Sequence, residues 1–213
     1  MASNIDSDMK RRLLTYILVL ASCMISWGQS RQAKLPKITF GAEWGYMASF
    51  ISGYHYNFFD PDGFRVDSDG LSAGYYNNGE VTLHVGYNFN HKWNLSLHAG
   101  YSGAGDFDPT IPLSLRMTRY WGEDHMADRW FTLFDVGSGI CLKKSPQETI
   151  SCKLGGGYRM ALSRVTKLDF LAAFKLLYTH PEIKYYGQLI DSKWINRNNG
   201  YIGSLFIGIS LTF

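Results

Sequence analysis

Residues 201–213 read YIGSLFIGISLTF. Along an extended chain Tyr201, Gly203, Leu205, Ile207, Ile209, Leu211 and Phe213 fall on one face. Ile202, Ser204, Phe206, Gly208, Ser210 and Thr212 fall on the other. Side chains of a strand alternate with a period of two, so one face is greasy from end to end. The other is mostly small or hydroxylic, with Ile202 and Phe206 as exceptions. The first face suits lipid and the second a narrow interior.

Working upstream, the same alternation recurs. Ile38, Phe40, Ala42, Trp44, Tyr46, Ala48 and Phe50 alternate with Thr39, Gly41, Glu43, Gly45, Met47 and Ser49. Val81–Tyr87 and Trp93–Tyr101 form a hairpin about Asn90-His91-Lys92, with both apolar sets on one side. Further alternating runs lie near 111–118, 130–140, 152–160 and 168–178. With 38–50 and 201–213 this predicts eight strands, most near the roughly 9–11 residues that cross a bilayer when tilted. The predicted fold is all-β, an eight-stranded antiparallel up-and-down transmembrane β-barrel. An even strand number puts both termini in the periplasm, and the two longest links, 53–78 and 179–199, then fall outside. A ten-stranded variant arises if either hides a hairpin; residues 71–76 and Ile183–Ile190 are the candidates, read here as strand extensions above the membrane.

Polarity separates a membrane barrel from a soluble one. Glu43, Glu80, Arg116, Asp135, Lys153, Arg159, Asp169 and Lys175 share the inward phase with His84 and His98. Four acids and four bases in a cramped lumen can neutralise one another, whereas a soluble barrel would turn its charges out. Aromatics gather at strand ends: Tyr87, Phe89, Trp93, Tyr120, Trp121, Trp130 and Phe213 at the periplasmic border, and Phe50, Tyr101, Tyr178 and Tyr201 at the outer one. Such girdles mark the two edges of a bilayer. Charged residues are 18% and aromatics 15% of the 213 residues, the opposite of a disordered composition. The formal charge of +3, without a basic cluster, argues against a nucleic-acid partner.

Residues 1–28 are read as an N-terminal extension and signal peptide. Lys10-Arg11-Arg12 precedes the apolar run Leu13–Ile25, and Ser26-Trp27-Gly28 offers a cleavage site. Met9 is the expected start. Leu20-Ala21-Ser22-Cys23 is a competing lipobox, but the apolar run continues past it instead of opening a polar tether. Residues 29–37 form a short periplasmic lead-in and 38–213 the barrel. The chain is expected in the Gram-negative outer membrane, in contact with its lipid.

With the export segment, the hairpin YNFNHKWNLSLHAGY (residues 87–101) and the terminal phenylalanine in place, the chain resembles the small outer-membrane barrels of the OmpA/OmpX type. That resemblance implies a C-terminal signal read by the barrel-assembly machinery, matched at Gly208, Leu211 and Phe213, while Phe206 stands where a polar residue is usual. It implies location and fold but little about activity. No peptidoglycan-binding domain follows Phe213, so an OmpA-like tether to the cell wall is not expected.

The candidate sites in the sequence each have a simpler reading. Asp60-Pro61-Asp62-Gly63 and Asp67-Ser68-Asp69-Gly70 lack the calcium-loop spacing and read as turn chemistry, so no metal is expected. His84 and His98 read as a paired polar core, and no hydrolase motif occurs; neither a catalytic centre nor a cofactor is expected. Cys141 and Cys152 flank a turn in an oxidising compartment and are candidates for a disulfide, although they lie on opposite faces. The loop aromatics Tyr54-His55-Tyr56-Asn57-Phe58-Phe59 and Lys184-Tyr185-Tyr186 suit either surface binding or packing of loop on loop. The function expected is a non-enzymatic barrel acting through its outer loops, or as an accessory subunit beside other outer-membrane proteins. The alternatives are a small pore or a lipid-modifying enzyme.

Overall fold

The computed structural model describes residues 35–104, 107–141 and 148–213. The signal segment and Cys23 lie outside them, as does the side chain of Cys141. The strands are β1 (Ile38–Phe59), β2 (Arg65–Asn88), β3 (Trp93–Ala104), β4 (Phe107–Tyr120), β5 (Arg129–Cys141), β6 (Glu148–Ala161), β7 (Lys167–Thr179), β8 (Lys184–Tyr185), β9 (Gln188–Leu189) and β10 (Ile195–Thr212). Eight of them close into one antiparallel barrel in the order β1-β10-β7-β6-β5-β4-β3-β2. Closure leaves no free edge in the ring and pairs every backbone dipole inside lipid, which is why a barrel can span a membrane. The short β8 and β9 form a separate hairpin and do not enlarge the ring.

The alternation read in the sequence is the wall itself. Ile38, Phe40, Trp44, Val81, Leu83, Val85, Leu113, Phe134, Leu154, Phe174, Ile207 and Ile209 are exposed around the outside, a belt stable only against hydrocarbon. Arg119 lies at the periplasmic border with its guanidinium 4.3 Å from the Trp121 ring centroid and 5.4 Å from that of Trp93, a cation anchored in an aromatic girdle. Phe213 stacks on Phe40 at 5.7 Å, and their backbones pair (Phe213 N to Phe40 O, 2.8 Å) to seal the last strand onto the first.

Two sequence expectations need correction. Tyr120, assigned to the periplasmic girdle, is buried in the lumen, because its even position on β4 shares the phase of Arg116 and Thr118. The Cys141–Cys152 bridge is ruled out by register. Cys152 is a free thiol opposite Val136, five positions from Cys141 and so roughly 16 Å along the strand; a disulfide needs Cα atoms within about 7 Å.

The links fall as the topology rule requires. Short connections at 89–92, 121–128 and 162–166 join strands at the end that holds Ile38 and Phe213. At the other end the long link 53–78 is no loop. β1 and β2 continue as a hairpin and turn at Asp60–Phe64, where Phe64 N donates to Asp60 Oδ1 at 2.8 Å. Register shifts between Ser49 and Ile51 on both sides of β1 mark a bulge at the outer edge of the wall.

Candidate functional site

The lumen is filled. All ten residues assigned inward by phase are buried. Strand register builds the first charge row: Arg116 on β4 faces Asp135 on β5, which faces Lys153 on β6, which faces Lys175 on β7. Arg116 donates from Nε to Asp135 Oδ2 at 3.0 Å and from Nη2 to Glu43 Oε1 at 2.9 Å. Lys175 Nζ reaches Glu80 Oε2 at 2.6 Å and Ser102 Oγ at 3.0 Å, and Lys153 pairs with the other Glu80 oxygen. Lower down, Arg159 grips Asp169 through two bonds of 2.6 Å. Each inward acid therefore has a cation, as the count of four against four predicted. Forked guanidinium pairs of this kind fix geometry as well as charge.

Apolar packing shares the space with these ions. Met47, Tyr120, Phe131, Leu133, Leu171, Ala173 and Phe206 form one buried cluster. Phe206 lies over Gly45, where a Cβ would come within 2.1 Å of its ring, so a glycine is required for the backbone to pass beneath. Lys153 Nζ sits 4.6 Å from the same ring centroid. His84 and His98 face each other across β2 and β3 with ring centroids 4.8 Å apart. His98 Nε2 is 2.9 Å from Ser96 Oγ, and neither Nδ1 has a protein partner. These histidines pair with one another instead of with Glu43 or Glu80. Beside them lies a chamber of about 30 Å3, lined by Ser96, Thr118, Arg116, Arg159 and Tyr120 among others, room for a water or two.

Phase reasoning omitted two inward cations, Arg129 and Lys167. Both are buried on the lumen face at the periplasmic end. The signal was available, since Arg129 shares the phase of Asp135, and Lys167 that of Asp169.

Above the wall, the projection is held by side chains. Phe58 packs edge-on against Tyr185 at 5.4 Å, Phe59 against Trp194 at 6.5 Å, and Tyr54 stacks on Tyr56 at 4.8 Å. Phe58 and Phe59 thus pack the first long link onto Tyr185 and Trp194 of the second. Asn57 Nδ2 donates to Asp67 Oδ2 at 2.7 Å, His55 Nε2 lies 3.1 Å from Asp67 Oδ1, and Arg197 Nη1 is 3.3 Å from His55 Nδ1. The bond to His55, joined by that from Asn57, holds the Asp67 carboxyl below its usual range. Asp60 and Asp67, half of the candidate calcium carboxylates, are committed to these contacts. Tyr186 is 92% exposed at the tip of the β8–β9 hairpin, with a φ of 47° followed by 80° at Gly187. This is the backbone of a two-residue hairpin turn that favours glycine and strains tyrosine.

No family model matches the chain, and no curated protein does. Among solved structures, the outer membrane protein OprG from Pseudomonas aeruginosa is similar at a TM-score of 0.51 and 12% identity, covering 83% of this chain and 95% of that one. This is the outer-membrane β-barrel fold. Two further structures are similar at lower scores. The outer membrane protein AlkL in DMPC lipid bilayers has a TM-score of 0.49 and 11% identity, covering 86% of this chain and 94% of that one. The N-terminal barrel domain of Pseudomonas aeruginosa OprF has a TM-score of 0.36 and 13% identity, covering 80% and 97%. The outer-membrane barrel described here needs lipid around its apolar belt, and closed barrels of this build belong to outer membranes. At such identities the likeness is one of fold.

Proposed function

We propose that this outer-membrane barrel is non-enzymatic and recognises a partner at the cell surface, through the sheet that β1, β2 and β10 raise above the bilayer. The observation that carries this is the edge of β2. Residues 65–73 pair with β1, whereas pairing with β3 begins at Glu80, so that stretch has one strand neighbour among the described residues. An unpaired edge presents a row of N–H and C=O groups that can accept an added strand. Residues 70–75 carry neither charge nor proline, two devices that commonly blunt such edges. Leu71 is 80% exposed beside this edge, and Phe64 and Tyr75 are exposed on the same hairpin.

The filled lumen supports this reading over a pore, because a chamber of about 30 Å3 gives hydrated ions no route. The partner is either a soluble surface ligand or another outer-membrane protein that borrows the edge.

The test removes the projection and keeps the wall. Ser49 and Tyr76 face each other in register, so residues 50–75 can be replaced by an Asn-Gly turn. The shortened chain is expected to fold as a heat-modifiable barrel and to lose about tenfold in adhesion and in partner capture from outer-membrane extracts. Equal adhesion and capture by the full and shortened chains would refute the proposal.

A further inference from the structure

The charges of the lumen do not balance. Glu43 and Asp135 are held by Arg116, Glu80 by Lys153 and Lys175, and Asp169 by Arg159. Arg129 and Lys167 then remain as a surplus of two positive charges, both at the periplasmic mouth. They are 6% and 8% exposed, and neither forms an ion pair with the described residues. Arg129 opens β5 and faces Arg159 directly across the β5–β6 ladder; Arg159 in turn faces Asp169 on β7. Lys167 opens β7, two positions from Asp169 on the same face. Three cations and one acid therefore share a patch only a few residues wide.

What surrounds these groups leaves them under-satisfied. The Arg129 guanidinium lies 4.1 Å from the centroid of Tyr120, whose ring is shared with Arg159 at 4.4 Å. Arg129 Nη1 donates to the His91 carbonyl, and its buried Nε has no partner. Lys167 Nζ donates once, to Ser163 O at 2.9 Å, leaving two of its three protons. The acids whose fields reach these cations from the neighbouring turn are Asp124 and Asp128. Each spends a carboxylate oxygen on a backbone amide, of Met126 and Ala161 respectively, at 2.8 Å. His125 Nε2 on that same turn is also buried without a partner. A buried guanidinium with an idle N–H beside a half-used ammonium is costly unless an anion completes it.

We propose that the periplasmic mouth of the barrel is a binding site for a phosphate group, held by Arg129 and Lys167 within the field of Arg159. A tetrahedral oxyanion accepts from several donors at once, matching a guanidinium edge and an ammonium that approach from adjacent strands. Free inorganic phosphate and the headgroup of an inner-leaflet phospholipid present the same chemistry, and both are accessible at this end of the wall. The site lies at the opposite end from the surface projection and does not depend on it.

The experiment titrates inorganic phosphate into the full-length folded protein in a zwitterionic detergent at low ionic strength, following heat release and thermal midpoint, with chloride as the comparator. Saturable binding that exceeds the chloride response is expected. Arg129→Gln and Lys167→Gln should each weaken it about tenfold. Arg129→Lys should retain most of it, and Lys92→Gln, an exposed cation at the same end, should leave it unchanged. Heat-modifiable mobility on gels confirms that each variant is folded. Repeating the titration in phosphatidylcholine vesicles with and without phosphatidylglycerol separates the sources. A phosphate requirement raised about tenfold by phosphatidylglycerol assigns the site to the lipid headgroup, and an unchanged requirement assigns it to the free ion. Absence of saturable phosphate binding in the wild type, or equal affinity in the wild type and the folded double variant, overturns the proposal.

Discussion

The lower and upper halves of β1 are the same strand in two physical settings. From Phe40 to Ser49 it is paired on both sides within a closed ring, its outward residues in lipid and its inward residues in a packed lumen. Beyond the bulge at Phe50 it still pairs with β2 and β10, but the sheet is no longer closed and both faces meet water or loops. Closure makes the lower part intolerant, because Glu43 and Met47 there are buried against fixed partners. Opening makes the upper part tolerant in structure and available for contact.

The largest break in this contrast should come from the charge rows. Glu80→Gln removes the carboxylate that Lys153 and Lys175 share, leaving Lys153 only Glu43 at 4.0 Å. It is expected to cost about 3–5 kcal/mol of barrel stability, read from the denaturant midpoint in lipid. A loss under 1 kcal/mol would mean that the lumen is wetter than its packing indicates.

A smaller effect is expected beneath Phe206. Gly45→Ala drives a methyl into that ring and should cost about 1–3 kcal/mol. Adding Phe206→Leu should restore part of the loss, a coupling absent if the two sites act separately.

In the projection the same kind of truncation should barely move global unfolding. Phe58→Ala removes a buried ring packed on Tyr185, yet the barrel midpoint should shift by less than about 0.5 kcal/mol. Proteolytic cleavage within 180–194 should rise several-fold. A barrel shift as large as that of Gly45→Ala would erase the distinction between the two halves.

The smallest effect is one of pH. Asp67 is held below the ordinary carboxylate range, first by the bond to His55, so its ionised form is favoured in the folded projection. The support it lends is present above the ordinary carboxylate range and is lost as pH falls through the lowered value. Amide exchange near Asn57 and Asp67, corrected for intrinsic rates, should quicken on acidification below the ordinary range. Asp67→Asn should show the quickened exchange already at neutral pH and little further change on acidification.

Much of this was readable from spacing. The phase of Glu43 or Lys175 is set by counting, and the ring then has one inside, so the ten inward residues and the eight strands follow from period two. Arg129 and Lys167 obey the same count but stand at the first position of their strands, where sequence alone does not say whether a strand has begun. Tyr120 was misread for the same reason at the last position of β4: an aromatic at a strand end fits a girdle or a lumen mouth equally well. The hairpin through residues 59–65 was obscured because above the membrane neither face is lipid-exposed, and the alternation that marks a strand fades.

By itself the sequence determined the barrel and the sign of each face, because hydrocarbon outside and a cramped polar centre inside impose a strict alternation. Tertiary structure decided which acid meets which base, that Cys152 is left free by register, that residues 65–73 of β2 pair with β1 alone among the described residues, and that Arg129 and Lys167 form no ion pair with those residues. Those depend on distances across strands far apart in the chain. Register and ring closure set such distances, and no local pattern encodes them.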